Sequence, residues 1–225
     1  GTKLDIVKSS VGENTALYGG GIFNYYGTLT IDQSDISSNW ATISNGNGGG
    51  INTRFGTMNI DDSTMRENVA AYSGGAIESS WTNVTLQNST VSINSALVGG
   101  GISTGGNAPF TILNTTVSNN SANEGSGGGI YNSFGSIMNI TGSTVSQNTA
   151  TFGGAGIVNY SANLNVVNST ISGNTTNDSG GGIYTSQDNS VLNVSFSTIA
   201  RNIADADNDD HSDGAGVYVE SGTAN

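Results

Sequence analysis

A glycine-rich tetrapeptide recurs along the chain at intervals of roughly 27 residues. It reads Gly-Gly-Gly-Ile or a close variant, and it ends at Ile22, Ile51, Ile77, Ile102, Ile130, Ile157, Ile183 and Val217. A unit this short cannot bury its own apolar residues, whereas similar units stacked on one another can. The repeat therefore predicts a solenoid, and its register predicts that Ile130 lies buried between Ile102 and Ile157.

A second repeated block, eleven residues long, alternates apolar and polar residues and ends in asparagine. In the copy 29–39, Leu29 and Ile31 stand two residues apart, which is typical of a strand with one buried face. Gly, Asn, Ser and Thr fill the gaps between the apolar residues, as they do in turns. We therefore predict an all-β fold in which residues 1–225 form one domain, a three-sided parallel β-solenoid of about eight coils, most of them 25–29 residues long.

Glycine and asparagine mark the corners of the predicted coil. The first residue of the tetrapeptide is Gly in all copies, so we expect it to need a positive φ or very close backbone approach. The two following positions also admit Ala, at Ala76, Ala155 and Ala215, which indicates little room but ordinary dihedral angles. The asparagines that close the blocks are predicted to stack as a hydrogen-bonded structural ladder: Asn14, Asn39, Asn68, Asn94, Asn120, Asn148, Asn174 and Asn202.

These repeats resemble those of a known class of proteins. GGGIYN at 127–132, NSTVSIN at 88–94 and NSTISGN at 168–174 resemble the right-handed parallel β-helix repeats of bacterial cell-surface and secreted proteins, including adhesins. GGAI at 74–77 is similar to the repeats of chlamydial polymorphic outer-membrane proteins, although this chain usually has Ile or Val where their second motif carries Phe. The resemblance implies a right-handed β-helix located outside the cell or on its surface. Adhesins, lyases, hydrolases and filaments all use such a solenoid.

Composition excludes several classes of function. Lys and Arg total 5 against 17 Asp and Glu, so a nucleic-acid partner is not expected. The absence of Cys excludes disulfides and thiolate-ligated zinc. No apolar run is long enough to cross a bilayer, so membrane insertion is not expected either.

Four aspartates form the candidate site of an enzyme. Asp32 and Asp61 occupy equivalent outward positions in adjacent coils, and Asp35 and Asp62 are close to them in sequence. Stacked carboxylates can split their pKa values and act as acid and base. The alternative is a solvated acidic patch, which we favour because the five basic residues are too scattered to support a lyase. A polysaccharide lyase or glycoside hydrolase is therefore the alternative to a protein without catalytic activity.

An acidic loop is the candidate metal site. Asp205, Asp207, Asp209, Asp210 and Asp213 alternate with other residues in a manner that resembles a calcium loop. The EF-hand pattern fails, because its sixth position is Asp210 where that motif has Gly. Calcium binding and a simple solubilising loop both remain open, and no other cofactor is predicted.

Two further surface features have competing interpretations. Regular files of Thr and Ser flank the second apolar strand and give an ice-binding surface as a minor alternative, although Thr is also a common exposed strand residue. Aromatic residues cluster in the turn after the Gly-Gly-Gly-Ile strand, where rings can stack on sugars, pack against a neighbouring rod or shield the corner: Tyr25, Tyr26, Phe55, Trp81, Phe134 and Tyr160.

The first block begins at Leu4, and the last copy of the tetrapeptide ends at Val217, so neither end shows a cap in the sequence. Uncapped ends favour either head-to-tail stacking of copies into a filament or continuation into further coils. We interpret the chain as a non-enzymatic, extracellular structural or adhesive β-solenoid, a cell-surface protein or filament subunit. Its expected partners are a second copy, an extracellular polysaccharide or a host surface.

Overall fold

The computed structural model describes residues 1–208 and 212–225, which form a solenoid of stacked parallel strands. Each coil contributes one strand to each of three sheets, and every strand pairs in parallel with its counterparts in the neighbouring coils. The predicted all-β, three-sided solenoid of about eight coils is confirmed. No helix in the described residues is long and apolar enough to cross a bilayer.

The three sheets are defined by their strands. The first sheet contains Lys3–Val7, Thr28–Asp32, Thr57–Asp61, Asn83–Gln87, Pro109–Leu113, Ile137–Thr141, Asn163–Val167, Val191–Ser195 and Thr223–Ala224. The second contains Ser10–Gly12, Asp35–Ser37, Thr64–Arg66, Thr90–Ser92, Thr116–Ser118, Thr144–Ser146, Thr170–Ser172 and Thr198–Ala200. The third contains Ile22–Tyr25, Ile51–Arg54, Ile77–Ser80, Ile102–Gly105, Ile130–Ser133, Ile157–Tyr160, Ile183–Ser186 and Val217–Val219. Short strands between the second and third sheets are Trp40–Ala41, Val69–Ala70, Ser121–Ala122, Thr149–Ala150 and Thr175–Thr176.

The core consists of columns of equivalent apolar side chains. Ile130 pairs with Ile102 on one side and Ile157 on the other, and all three are fully buried, which confirms the predicted register. The first sheet contributes two such columns, illustrated by Leu29 and Ile31, which stack on Met58 and Ile60. Each residue thus packs on its own counterpart, so one repeated sequence is enough to build the interior.

The glycine turns show why side chains are excluded there. The first glycine of each tetrapeptide has a positive φ in every copy, as the sequence predicted. At the second position, a Cβ on Gly49 would lie 2.4 Å from the carbonyl oxygen of Gly75 in the next coil. At the third, a Cβ on Gly101 would lie 3.1 Å from the Asn120 carboxamide carbon. The glycines therefore let the backbone lie directly against the asparagine ladder.

The asparagine ladder is present as a buried column that runs along the solenoid. At Asn94, the side-chain amide donates to the Asn120 Oδ1 atom at 2.9 Å and to the carbonyl oxygens of Ser92 and Met65 at 3.0 and 3.1 Å. The backbone N–H of Asn94 donates to the same Asn120 oxygen at 3.0 Å. Equivalent amide-to-amide hydrogen bonds join the asparagines of consecutive coils from Asn14 to Asn202. The polar side chains of this column therefore have hydrogen-bond partners where they are buried.

A second, hydroxyl ladder lies at the corner between the first and second sheets, and the sequence analysis did not assign it. The Ser63 hydroxyl donates to the carbonyl oxygen of Asp61 at 2.6 Å and accepts the backbone N–H of Ser34 at 3.0 Å. The same pattern repeats at Ser34, Ser63, Ser89, Thr115, Ser143, Ser169 and Ser197. The Ser or Thr at a fixed position of the eleven-residue block was the signal for it.

Candidate functional site

The outer surface of the third sheet carries side chains that differ from coil to coil. Side chains alternate between the two faces of a strand, so the second and fourth residues of each Gly-Gly-Gly-Ile strand point away from the core. The second residues form a column of mixed chemistry along the sheet: Phe23, Asn52, Glu78, Ser103, Tyr131, Val158, Tyr184 and Tyr218. This variation contrasts with the uniform apolar columns inside.

Aromatic rings stack along the corner that follows the third sheet. Tyr26 stacks on Phe55 with ring centroids 5.0 Å apart, and Phe55 stacks on Trp81 at 5.2 Å. All three residues have a left-handed backbone, which directs their side chains outward at the turn. Over half of the Trp81 side chain is exposed, at 55%. The aromatic residues predicted for this turn therefore include a continuous stack in the first coils.

The ring row is interrupted in the fourth coil, where Gly105 and Gly106 occupy the strand end and the turn. A Cβ on Gly106 would lie 2.7 Å from the indole of Trp81, so the indole lies directly across this glycine. The next ring of the row is Phe134, in the fifth coil. The absence of side chains at Gly105 and Gly106 leaves a pocket on the outer face of the third sheet, with a volume of about 590 Å³.

Aromatic rings and hydroxyl groups both line this pocket, which we call the Trp81 pocket. The rings of Trp81, Phe134, Tyr72 and Tyr131 contribute to its lining. Glu78 and the hydroxyl-bearing residues Ser73, Ser80, Ser103 and Ser133 line it as well. The sequence analysis missed Glu78, Tyr72 and Tyr131. For Glu78 and Tyr131 the available signal was their shared position, one residue after the repeated Ile.

Glu78 is the charged group of the Trp81 pocket. Its carboxylate accepts hydrogen bonds from the hydroxyls of Ser73 and Ser80, the latter at 3.0 Å. Burial raises the pKa of Glu78, and the hydroxyl donors and the Arg54 guanidinium oppose that shift without cancelling it. Burial also raises the pKa of Tyr131 to about 12. The pocket is thus a partly dehydrated environment with hydrogen-bonding groups held in place.

A second depression continues the surface along the solenoid axis. It has a volume of about 290 Å³, and Tyr131 lines both this depression and the Trp81 pocket. Tyr160 and Tyr184 add further rings, with the Tyr160 and Tyr131 centroids 6.5 Å apart. The Tyr184 hydroxyl donates to Glu220 at 2.7 Å, and burial raises the pKa of Tyr184. The two depressions thus lie next to each other on the third sheet, and Tyr131 is the lining residue that they share.

The predicted acidic patch lies elsewhere. Asp32 and Asp61 are in register on the first sheet and line a depression of about 550 Å³. Asn88 and Gln87 donate to the Asp61 carboxylate at 2.9 and 2.7 Å, and these bonds lower the pKa of Asp61. A general acid needs a raised pKa, so this environment suits a permanently ionised carboxylate.

The other two aspartates of the patch are separated from this depression. Asp35 lies on the second sheet, 3.3 Å from the Arg66 guanidinium. Arg66 also contacts Glu67 at 3.0 Å. Asp62 lies at the turn after the first sheet, with φ of 46°. The four aspartates are thus spread over two sheets and the turn between them.

Of the predicted calcium loop, Asp209 and Asp210 lie outside the described residues. The backbone N–H of Asp213 donates to the Ser179 hydroxyl at 2.9 Å. Its carbonyl oxygen accepts the backbone N–H of Gly180 at 3.0 Å. Within residues 1–208 and 212–225, no three His, Cys, Asp or Glu side chains are grouped as metal ligands. Calcium binding by Asp205, Asp207 and the rest of the loop stays a prediction.

The two hydroxyl files predicted for the second sheet are in register. Thr90, Thr116, Thr144 and Thr170 pair in consecutive coils, and so do the serines two residues after each of them. Asp35 and Arg66 interrupt the files in the early coils. An ice-binding role for these files stays a prediction.

Comparison with known proteins agrees with the repeat pattern. A family model of the Chlamydia polymorphic membrane protein repeat matches residues 168–186. That segment contains a second-sheet strand, the ladder residue Asn174, the glycine turn and a third-sheet strand, so it covers most of one coil. The curated proteins and the solved structures gave no match.

The matched segment is similar to the other coils of the chain, which repeat the same asparagine and glycine positions. The match agrees with the resemblance of the repeats, and the stacked parallel sheets agree with the β-solenoid that the resemblance implies. The resemblance stated from the sequence is thereby confirmed.

Proposed function

We propose that this chain is a non-enzymatic, extracellular adhesive β-solenoid that holds its partner on the outer face of the third sheet. The observation that carries the proposal is the row of exposed aromatic rings along this sheet and its corner, beside the two depressions described above. A soluble protein exposes large aromatic clusters chiefly where it binds something. The similarity of residues 168–186 to a surface-protein repeat supports a location on the cell surface.

The proposal is tested by attachment. Beads coated with the purified chain are allowed to settle on glycan-coated surfaces and on layers of host cells, and the bound fraction is counted after washing. We expect Trp81→Ala combined with Phe134→Ala to reduce attachment severalfold. The matched control, Thr144→Ala with Thr170→Ala on the second sheet, is expected to attach like the wild type. Equal attachment of both variants would overturn the assignment to the third sheet.

The enzyme alternative rests on the depression lined by Asp32 and Asp61. A glycoside hydrolase or lyase would release reducing ends or unsaturated products from polysaccharides, and Asp61→Asn would abolish that release. The hydrogen bonds that lower the pKa of Asp61 favour a structural role for this carboxylate. We therefore expect no product from polygalacturonate or neutral glycans.

The other predicted partner is a second copy of the chain. Light scattering over a range of protein concentrations tests head-to-tail stacking. A mass that rises with concentration supports stacking, and a constant monomer mass excludes it.

A further inference from the structure

We propose that the Trp81 pocket and the depression beside it form a binding groove for a neutral oligosaccharide that lies along the solenoid axis. This inference rests on the proposed adhesive function and names the class of its ligand. It depends on three features of the third sheet: the chemistry of the lining, the direction of the groove and the distribution of charge.

The lining matches the two kinds of surface on a sugar ring. A pyranose has an apolar C–H face, which packs on aromatic rings, and a rim of hydroxyl groups, which need hydrogen-bond partners. The Trp81 pocket supplies the rings of Trp81 and Phe134, which are 55% and 67% exposed. It supplies polar partners in the Glu78 carboxyl and the hydroxyls of Ser103 and Ser133.

Gly106 lets the Trp81 indole lie directly against the backbone of the fourth coil. The indole stacks on Phe55 on one side, and on the side of the fourth coil it meets only the glycine backbone. A side chain at position 106 would occupy the space of the indole, since the Cβ position is 2.7–2.8 Å from three of its atoms. The indole is thus held between Phe55 and the Gly106 backbone, and its exposed remainder lines the pocket.

The groove extends along the axis, which suits a chain of sugars better than a single unit. Tyr131 belongs to both depressions, and Tyr160 and Tyr184 continue the rings in the sixth and seventh coils. Neighbouring coils are about 4.8 Å apart, a distance comparable to the length of one sugar unit. Successive units can thus meet successive coils.

The charges favour a neutral ligand. The chain has a formal net charge of -12, and Asp178 and Glu220 line the second depression, so an acidic polysaccharide would be repelled. At the Trp81 pocket the Glu78 carboxylate already accepts hydrogen bonds from Ser73 and Ser80, which leaves it less available to pair with an organic cation. Glu78 is the only acidic residue that lines this pocket in the described part of the chain, so the paired carboxylates of a glycosidase are not assembled there.

The experiment uses Trp81 as its own reporter. The chain has two tryptophans, so Trp40→Phe leaves Trp81 as the sole indole fluorophore. This variant is titrated with cellohexaose, xylohexaose, maltohexaose and chitohexaose, and with the matching disaccharides. We expect a saturable change in fluorescence with at least one hexasaccharide, and affinity about tenfold higher than for its disaccharide. Polygalacturonate and tetramethylammonium are expected to leave the signal unchanged.

Binding by variants is followed by calorimetry with the hexasaccharide that binds. Trp81→Ala and Phe134→Ala are expected to weaken binding at least tenfold, and Glu78→Gln severalfold. Tyr26→Ala, in the same ring row but outside the pocket, is the matched control and should bind normally. Ser103→Tyr keeps every ring of the Trp81 pocket and adds a large side chain to the lining of that pocket, at the position that Tyr131 holds in the next coil. We expect it to abolish binding while the circular dichroism spectrum is unchanged.

The inference is overturned if no hexasaccharide binds, if tetramethylammonium binds instead, or if Ser103→Tyr binds as well as the wild type. Its failure is distinguishable from failure of the proposed function. If coated beads attach to host cells but no oligosaccharide binds, the adhesive function is retained and its ligand belongs to another class. Oligosaccharide binding without attachment of coated beads would leave the groove standing and remove the adhesive function.

Discussion

The second and third sheets are built from the same coils, yet their outer surfaces differ. On the second sheet the outward positions repeat with little change, as at Thr90, Thr116 and Thr144. On the third sheet the corresponding column changes from Glu78 to Ser103 to Tyr131 within three coils. The inward positions of both sheets are uniformly constrained by stacking. Variation on the third sheet that includes large aromatic rings therefore indicates a surface shaped by what it contacts, while the second sheet needs only polar residues that suit a strand.

The largest expected effect comes from an inward position of the third sheet. Ile130→Asp places a charge inside a column where Ile102, Ile130 and Ile157 are fully buried, so we expect it to cost several kcal/mol of unfolding free energy. Thr144→Asp, on the outer face of the second sheet, is expected to change it by less than about 0.5 kcal/mol. Urea denaturation followed by circular dichroism measures both. Similar losses in the two variants would show that inward and outward positions are not constrained differently.

The asparagine ladder allows the same comparison between buried and outer amides. Asn120→Ala removes the acceptor of the Asn94 amide and the donor to Asn148, so we expect a loss of about 2–3 kcal/mol from unsatisfied buried groups. Asn139→Ala is the matched control, because Asn139 forms a similar amide contact with Asn165 on the outer face of the first sheet. The control is expected to lose less than about 1 kcal/mol, since water can replace that bond.

Equal losses of unfolding free energy in the Asn120→Ala and Asn139→Ala variants would contradict this expectation. The free energy of unfolding would then not depend on whether an asparagine amide is buried. In that case the buried asparagine ladder could not be what aligns successive coils.

The hydroxyl ladder is expected to contribute less. Ser143→Ala leaves the backbone N–H of Thr115 without its acceptor, at a cost of about 1–2 kcal/mol. Ser143→Thr is the conservative control, because Thr115 already fills the equivalent place in the previous coil. Thermal unfolding of the two variants checks this expectation. If Ser143→Thr were also destabilised, side-chain volume rather than hydrogen bonding would determine which residue is tolerated at position 143.

The sequence predicted the periodic part of the molecule, because each inward residue must match its counterpart one coil away. Ile130 could be placed between Ile102 and Ile157 from spacing alone, and the positive φ of Gly127 followed from an invariant glycine. The site was harder to predict, because it arises where the period fails. Gly106 stands where other coils have a ring, and Glu78 stands where others have Tyr or Ser. Only the three-dimensional arrangement shows that these departures face one another.

Acidic groups led the sequence analysis to the first sheet, where Asp32 and Asp61 are adjacent but well hydrated. The carboxyl whose pKa burial raises is Glu78, which lines a pocket together with Tyr72, Trp81 and residues of the following coils. Burial of this kind is a property of packing and has no signature in the local sequence.

The smallest expected effect concerns Glu78, and it depends on pH. Because burial raises the pKa of Glu78 in the folded state, the native chain binds more protons than the unfolded chain at pH values between the two pKa values. The stability that this group contributes is therefore fully present below the unfolded pKa of about 4.3 and is lost as the pH rises through the folded value. Glu78→Gln removes the titration, so we expect the variant to gain stability relative to the wild type between pH 4 and neutrality.

Thermal midpoints of the two proteins, measured at intervals from acid to neutral pH, test this. The 16 other acidic residues are common to both, so their titration cancels in the difference between the two curves. Arg54, Tyr72 and Tyr131 face the carboxyl and also remain in both proteins. Asp61→Asn is the counterpart on the first sheet and should show the opposite trend, because hydrogen bonds from Asn88 and Gln87 lower its pKa. A Glu78→Gln difference that stays constant with pH would contradict a raised pKa for Glu78, and the Trp81 pocket would then not be the partly dehydrated environment described above.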